Sequence, residues 1–226
     1  MLSVENLGRR EGRLQILRDV SFDWSRGVLA VIGGNGTGKT TLLRVVAGAA
    51  KPNAGKVLWD GVPTSRAVRR KGAIGYGPQE RNLDLAITLR EFLGLCADLR
   101  GLHGRTAAIA AVAEELGLIK QLDERLANLS GGGRRKAMTA QALLGTPELI
   151  VLDEPTSEVD YAASRRFWSV FQARGKSSAL MIATHDVELA LSSADSILLL
   201  QRGLPARLAP ASSFAIDELS SAIGEA

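Results

Sequence analysis

One stretch constrains this chain more than any other: Gly33-Gly34-Asn35-Gly36-Thr37-Gly38-Lys39-Thr40. It fits the pattern G-x-x-x-x-G-K-[ST], a glycine-rich turn set between a buried strand and the N-terminus of a helix. The flanks agree. Val28-Leu29-Ala30-Val31-Ile32 is an apolar, partly β-branched run suited to a strand covered on both faces. Beyond the turn, Leu42, Leu43, Val46 and Ala47 share one helical face, and Gly48 can end that helix.

A polyphosphate accounts for these residue types. Glycines let the backbone close around the phosphates with successive N–H groups pointing inward, and the helix N-terminus adds partial positive charge. Residues Gly33 to Thr41 are therefore predicted to hold a nucleotide. Lys39 reaches the β- and γ-phosphates, and the Thr40 hydroxyl is a ligand for Mg²⁺.

Composition narrows the class. The 226 residues suit one large α/β unit or a core with a subdomain, and 46% hydrophobic with 23% charged residues matches an ordinary globular protein. A net charge of +4 without a long basic tract makes a weak case for nucleic acid, and an anionic nucleotide already gives that charge a use. Arg66 to Lys71 reads as a solvated basic surface. Cys96 is the single cysteine, which rules out an intramolecular disulfide, fits a reducing compartment and reads as an inert core thiol. No apolar run is long enough to span a bilayer, and Met1 to Glu11 is too polar for a signal peptide, so a cytoplasmic protein is expected.

In order, strands are expected at Leu2 to Leu7 and Gln15 to Trp24, parted by a turn from Gly8 to Gly12. Further strands are expected at Lys56 to Trp59 and Ala73 to Tyr76. From Thr88 to Gln121 the pattern turns helical, with Leu89, Phe92, Leu93, Leu95 and Cys96 near a 3.6 period, then an alanine-rich helix from Thr106 to Leu116. His103 falls in the loop between them and reads as surface. Strands follow at Leu149 to Leu152, Ala179 to Ala183 and Ser196 to Gln201, a helix spans Ala162 to Ala173, and the tail beyond Pro210 reads as one short amphipathic helix.

Parallel sheets carry their ligands at the carboxyl ends of strands. Here three apolar runs end in polar residues: at the glycine loop, at Asp153-Glu154 and at Thr184-His185. Asp153 suits a carboxylate that holds Mg²⁺, and Glu154 suits a general base for an attacking water. His185 reads as a γ-phosphate contact, with a buried structural histidine as the plain alternative. Gln79 can offer an amide oxygen near the metal and an amide N–H near the water.

With these in place, Leu129-Ser130-Gly131-Gly132-Gly133 resembles the LSGGQ signature of the ATP-binding cassette (ABC) ATPases, with Gly133 where glutamine is usual. Ser130, Gly131 and Gly132 also make physical sense as a second helix N-terminus able to meet phosphate. The resemblance covers essentially the whole chain. It implies a P-loop NTPase core with a mainly parallel sheet, an N-terminal antiparallel β part and an inserted α-helical subdomain. The core would comprise 1–83 and 146–210, the subdomain about 84–145 and the tail 211–226. It implies that Gln79 is the Q-loop, Ser157-Glu158-Val159-Asp160 the D-loop and His185 the switch histidine. It implies ATP and Mg²⁺ as cofactors. It also implies a head-to-tail pair of cassettes, two copies or a mixed pair, in which the signature and Asp160 of one face the nucleotide of the other.

The resemblance further implies a separate transmembrane permease as partner, reached peripherally at the inner face of the membrane, and no nucleic acid. Residues 81–102 are similar to the drug- and polymer-exporter branch. A cassette ATPase serving a protein or cluster-assembly complex, and a ribosome- or nucleic-acid-associated cassette, are the alternatives. Three departures stand out. No aromatic residue lies between Asn6 and Leu17 to stack on adenine, and Arg9, Arg10 and Glu11 fall there instead, one of which could offer an arginine plane. Gly133 removes a side chain at the signature, and Tyr161 stands where proline is common.

Overall fold

The computed structural model describes residues 1–68, 70, 72–79 and 86–224. The elements run β1 (Leu2–Glu11), β2 (Leu14–Trp24), β3 (Gly27–Ile32), α1 (Lys39–Val46), β4 (Ala54–Trp59), β5 (Val62–Pro63), α2 (Thr64–Ala67) and β6 (Ile74–Gly77). After these come α3 (Leu89–Leu99), α4 (Arg105–Glu115), α5 (Gly131–Leu143), β7 (Leu149–Asp153), α6 (Tyr161–Gly175), β8 (Ala179–Ala183), α7 (Val187–Ser193), β9 (Ser196–Leu199), β10 (Arg207–Pro210) and α8 (Ile216–Gly224).

The strands form two sheets. One is antiparallel, in the order β2-β1-β4-β5; the other runs β10-β9-β3-β8-β7-β6. In the second sheet every pairing from β9 to β6 is parallel, and only β10 is antiparallel. Burial on both faces explains the unbroken apolar runs of β3, β7 and β8. Alternate residues along them go to opposite cores. Leu29, Val31, Leu149, Val151 and Met181 pack with α1 and the antiparallel sheet. Ala30, Ile32, Ile150, Leu152, Leu180 and Ile182 pack with α3 to α8. The sheet is thus a middle layer, and the ends of its strands open on an edge that neither core covers.

Several local expectations change. β1 runs on to Glu11, and the turn shrinks to Gly12-Arg13, because register shifts between Val4 and Arg10 let the strand stay paired through a polar stretch. Leu95 is 54% exposed: on α3 the buried stripe is Leu89, Leu93 and Ala97, with Phe92 and Cys96 partly buried beside it. Cys96 thus sits at the margin of the core, and burial pushes its thiol above the usual range. The strand expected to reach Gln201 ends at Leu199, and β10, only 4 residues long and closed by Pro210, pairs against it. The tail past Pro210 holds a short 3₁₀ turn, Ala211–Ser213, before α8. Arg69, Lys71 and residues 80–85 lie outside the described residues, so the basic cluster and the segment after Gln79 are described only in part.

Candidate functional site

Side by side in the sheet stand β3, β8, β7 and β6, all parallel, so their carboxyl ends share one edge. From that edge emerge, in turn, the glycine loop, Thr184-His185, Asp153-Glu154 and Pro78-Gln79. The glycine loop, Asp153-Glu154 and Gln79 wall a cleft of about 290 Å³ lined by Glu11, Ile16, Gly34, Asn35, Gly36, Gly38, Lys39, Thr40, Thr41, Gln79, Asp153 and Glu154. Of the residues expected in the chain's own nucleotide and metal site, Gly33, Thr37 and His185 are not in this wall, and the rest are. Gly33 is buried beneath it, and Thr37 Oγ1 donates to Gly34 O at 2.9 Å.

The loop is built to meet an anion. Gly38 has φ of 99°, a left-handed conformation that favours glycine, and a Cβ there would also push Leu17 Cδ2 aside from 2.6 Å. No side chain caps α1, whose first N–H groups are therefore left for a ligand. Lys39 Nζ donates back to Gly33 O at 2.5 Å and to Gly34 O at 3.1 Å, an arrangement a phosphate oxygen can replace. Burial lowers the pKa of this amine, and the charges of Glu154 and Asp153 oppose that shift.

Asp153 is 2% exposed, and both its carboxylate oxygens are buried without a hydrogen-bond partner. Burial pushes its pKa up to about 6; the neighbouring Glu154 adds to this, while Thr40, Lys39 and Arg44 oppose it. An orphaned buried carboxylate beside a threonine hydroxyl and a phosphate loop fits Mg²⁺, which takes few protein ligands and completes its shell with phosphate and water. Among the described residues no cluster of three His, Cys, Asp or Glu side chains could hold a metal.

Glu154 follows directly, with a left-handed φ of 51° that is costly for a residue with a Cβ. The turn is held by Glu154 N–H donating to Ala183 O at 3.0 Å and by Ser157, whose N–H and Oγ both donate to Glu154 O. It carries the carboxylate toward His185, whose Nδ1 lies 2.8 Å from Glu154 Oε2. The histidine side chain is 62% exposed and the glutamate 10%, so His185 is a contact at the mouth of the cleft and not a buried core group.

Ser130, Gly131, Gly132 and Asp160 lie elsewhere. With Gly133, Lys136, Glu158 and Val159 they line a separate cleft of about 440 Å³. Ser130 caps α5 by accepting from Gly133 N–H at 3.0 Å, and Asp160 caps α6 by accepting from Ala163 N–H at 2.9 Å. One chain therefore presents the N-terminus of α1 at one cleft and those of α5 and α6 at another.

The base end of the first cleft departs from expectation. Arg9 Nη1 donates to Lys51 O and Arg10 Nε to Gln15 Oε1, so neither arginine is in the wall. Glu11 and Ile16 are. The β1–β2 register that places them there was not legible in the sequence, since it depends on the shifts within β1.

The family model described as ABC transporter matches residues 17–157. A zinc import ATP-binding protein ZnuC of Cereibacter sphaeroides is 33% identical over 208 residues, covering 89% of this chain and 79% of its own length. A Nod factor export ATP-binding protein I of Bradyrhizobium diazoefficiens is 34% identical, covering 89% of this chain and 68% of its own length. Among solved structures, the ATP-binding subunit of an ABC transporter superposes with a TM-score of 0.87 at 26% identity, over 98% of both chains. A dimeric cassette in a post-hydrolysis state bound to ADP and Pi shares the fold, with a TM-score of 0.84 at 22% identity. A phosphate loop, a carboxylate pair and a signature helix in this arrangement, with that likeness over nearly the whole chain, place it in the ABC ATPase family, as an ATP-hydrolysing cassette.

Proposed function

We propose that this cassette binds and hydrolyses ATP to drive a separate transmembrane permease, working as a head-to-tail pair. The observation that carries the reading is the separation of the two phosphate-competent ends within one chain. The α1 cleft holds the phosphate loop, Asp153 and Glu154, whereas Ser130, Gly131, Gly132 and Asp160 face another cleft. A second cassette, a copy or a relative, would bring its signature to the open side of the first cleft. In this reading the helical insertion spans about 84–145, between core segments 1–83 and 146–210.

Within one site, Lys39 and the N–H groups of the loop bind the β- and γ-phosphates. Thr40 and Asp153, with Gln79 beside them, would hold Mg²⁺. When bound, Mg²⁺ neutralises charge on the transferring phosphoryl group. Glu154 takes the proton of the attacking water, and His185 and the opposing Ser130 stabilise the phosphoryl oxygens.

The permease reading rests on the names of relatives, which include a zinc importer and a Nod factor exporter. Those names point in opposite directions, so the reading extends to a permease-driving ATPase at the inner face of the membrane and leaves the direction of transport open. Among the described residues no helix is long and apolar enough to cross a membrane, so the chain would reach one through its partner. The test is purification of the tagged protein from detergent-solubilised membranes of its own host. A stoichiometric multi-span partner supports the proposal. Recovery only with a soluble complex would contradict it and favour a cassette working outside transport.

A further inference from the structure

Behind the catalytic edge lies a charge that the mechanism above does not use. Arg135, on α5, is 2% exposed. Its Nη1 donates to Gln79 O at 2.9 Å, its Nη2 donates to Ser157 Oγ, and its Nε is buried without a partner. Ser157 Oγ in turn donates to Glu154 O at 3.2 Å. One guanidinium thus reaches the backbone of Gln79 directly and the left-handed turn of Glu154 through a single hydroxyl.

The surroundings make this link stiff. A Cβ on Gly75 would lie 2.0 Å from Ala142 O, and one on Gly77 would lie 3.3 Å from Met138 O, so α5 rests directly on the backbone of β6. Gln141 Nε2 also donates to Tyr76 O. The helix that begins at Ser130 is therefore fastened to the strand that ends at Gln79. Burying a guanidinium with one nitrogen unpaired is a poor way to gain stability, since a hydrophobic side chain of similar volume is often neutral or better. Arginine does supply a rigid planar fork able to hold two acceptors at once.

We propose that Arg135 is a positioning residue for hydrolysis: it holds the Gln79 backbone and the Glu154 turn in fixed register with the helix that begins at Ser130. Seating of that helix on a partner's nucleotide then sets the geometry of the chain's own site. This rests on the reading of Glu154 as the general base.

The test is a double-mutant cycle on ATP turnover with Arg135→Met and Ser157→Ala. The expected result for Arg135→Met is a kcat lower by about 10- to 100-fold, as for loss of fine positioning. KM for ATP should stay within about twofold, with a melting temperature no lower than wild type. Adding Ser157→Ala should cost little more, because both act through one link. Wild-type kcat in Arg135→Met, or fully additive losses, would overturn the proposal. Should Arg135→Met fail to fold, Arg135→Lys, which keeps the charge but not the fork, takes its place in the cycle under the same criteria. Glu154→Gln is run alongside. If that variant keeps full turnover, the assignment of the base fails; if it is inactive while Arg135→Met is normal, the positioning role alone fails.

Discussion

His185 Nδ1 and Glu154 Oε2 lie 2.8 Å apart at the mouth of the nucleotide cleft. A carboxylate oxygen accepts, so the contact is a hydrogen bond in the tautomer whose Nδ1 carries the ring N–H. A phosphate oxygen needs a donor. Turning that N–H toward a γ-phosphate oxygen means giving up the contact with Glu154, which leaves the carboxylate open to the attacking water.

His185→Ala is expected to lower kcat about 10²- to 10³-fold, the usual cost of removing one donor to a developing anion. Because the side chain is mostly exposed, thermal stability should scarcely change. Steady-state turnover beside a melting curve checks both. Wild-type turnover would leave the contact a structural one.

The buried carboxylate of Asp153 predicts a pH dependence. Its pKa is held at about 6 in the folded protein, against 3.8 for an ordinary aspartate. Between those values the folded chain keeps a proton that the unfolded chain releases. Stability of the nucleotide-free protein should therefore be greatest below 3.8, as far as this group is concerned, and be lost as pH rises through 6. Asp153→Asn should remove that slope and raise stability near neutral pH by on the order of 2–3 kcal/mol. Denaturant melts across this range check it, and an unchanged slope in the variant would refute it.

Among the described residues, Lys39 Nζ donates to the loop carbonyls of Gly33 and Gly34. Lys39→Ala should leave the fold intact and weaken ATP binding by about 10- to 100-fold, the loss of a charged hydrogen bond to phosphate. Titration with a fluorescent ATP analogue measures it directly.

At the base end, Glu11 stands in the wall without an aromatic neighbour there. Glu11→Tyr should tighten ATP binding by about 5- to 150-fold, because stacking of a base on an aromatic ring is worth about 1–3 kcal/mol. The wild-type protein should show comparable Michaelis constants for ATP and GTP. Strong preference for ATP, with no gain in the tyrosine variant, would mean the base is read from elsewhere.

What was legible in the sequence was whatever depends on short-range order. The phosphate loop, Asp153-Glu154 and His185 each follow an apolar strand directly, so local pattern gave their position and the parallel sheet brought them together. The signature was legible for the same reason, since Ser130 caps the helix that it opens. What escaped depends on distant pairing. Arg135 sits in the run Arg134-Arg135-Lys136, which looks like a solvated basic face, and only the docking of α5 on β6 shows that one of the three is buried. A faint signal existed: position 135 lies one turn before Thr139 on the face that Ala142 and Leu143 also bury. Glu11 and Ile16 reach the site through register shifts in β1, and Leu95 leaves the core because it lies off the i, i+4 stripe that Leu89, Leu93 and Ala97 bury.

The account's central claim is a two-cleft site completed by a second cassette, with Glu154 as its base. Light scattering of Glu154→Gln with ATP and Mg²⁺ tests it most directly, beside turnover of the same variant. The account predicts a species of twice the 24.0 kDa chain mass with ATP and the single-chain mass with ADP. It also predicts turnover lower by about 10²- to 10⁴-fold. A variant that binds ATP yet stays at the mass of one chain, or that hydrolyses it at the wild-type rate, would contradict the claim.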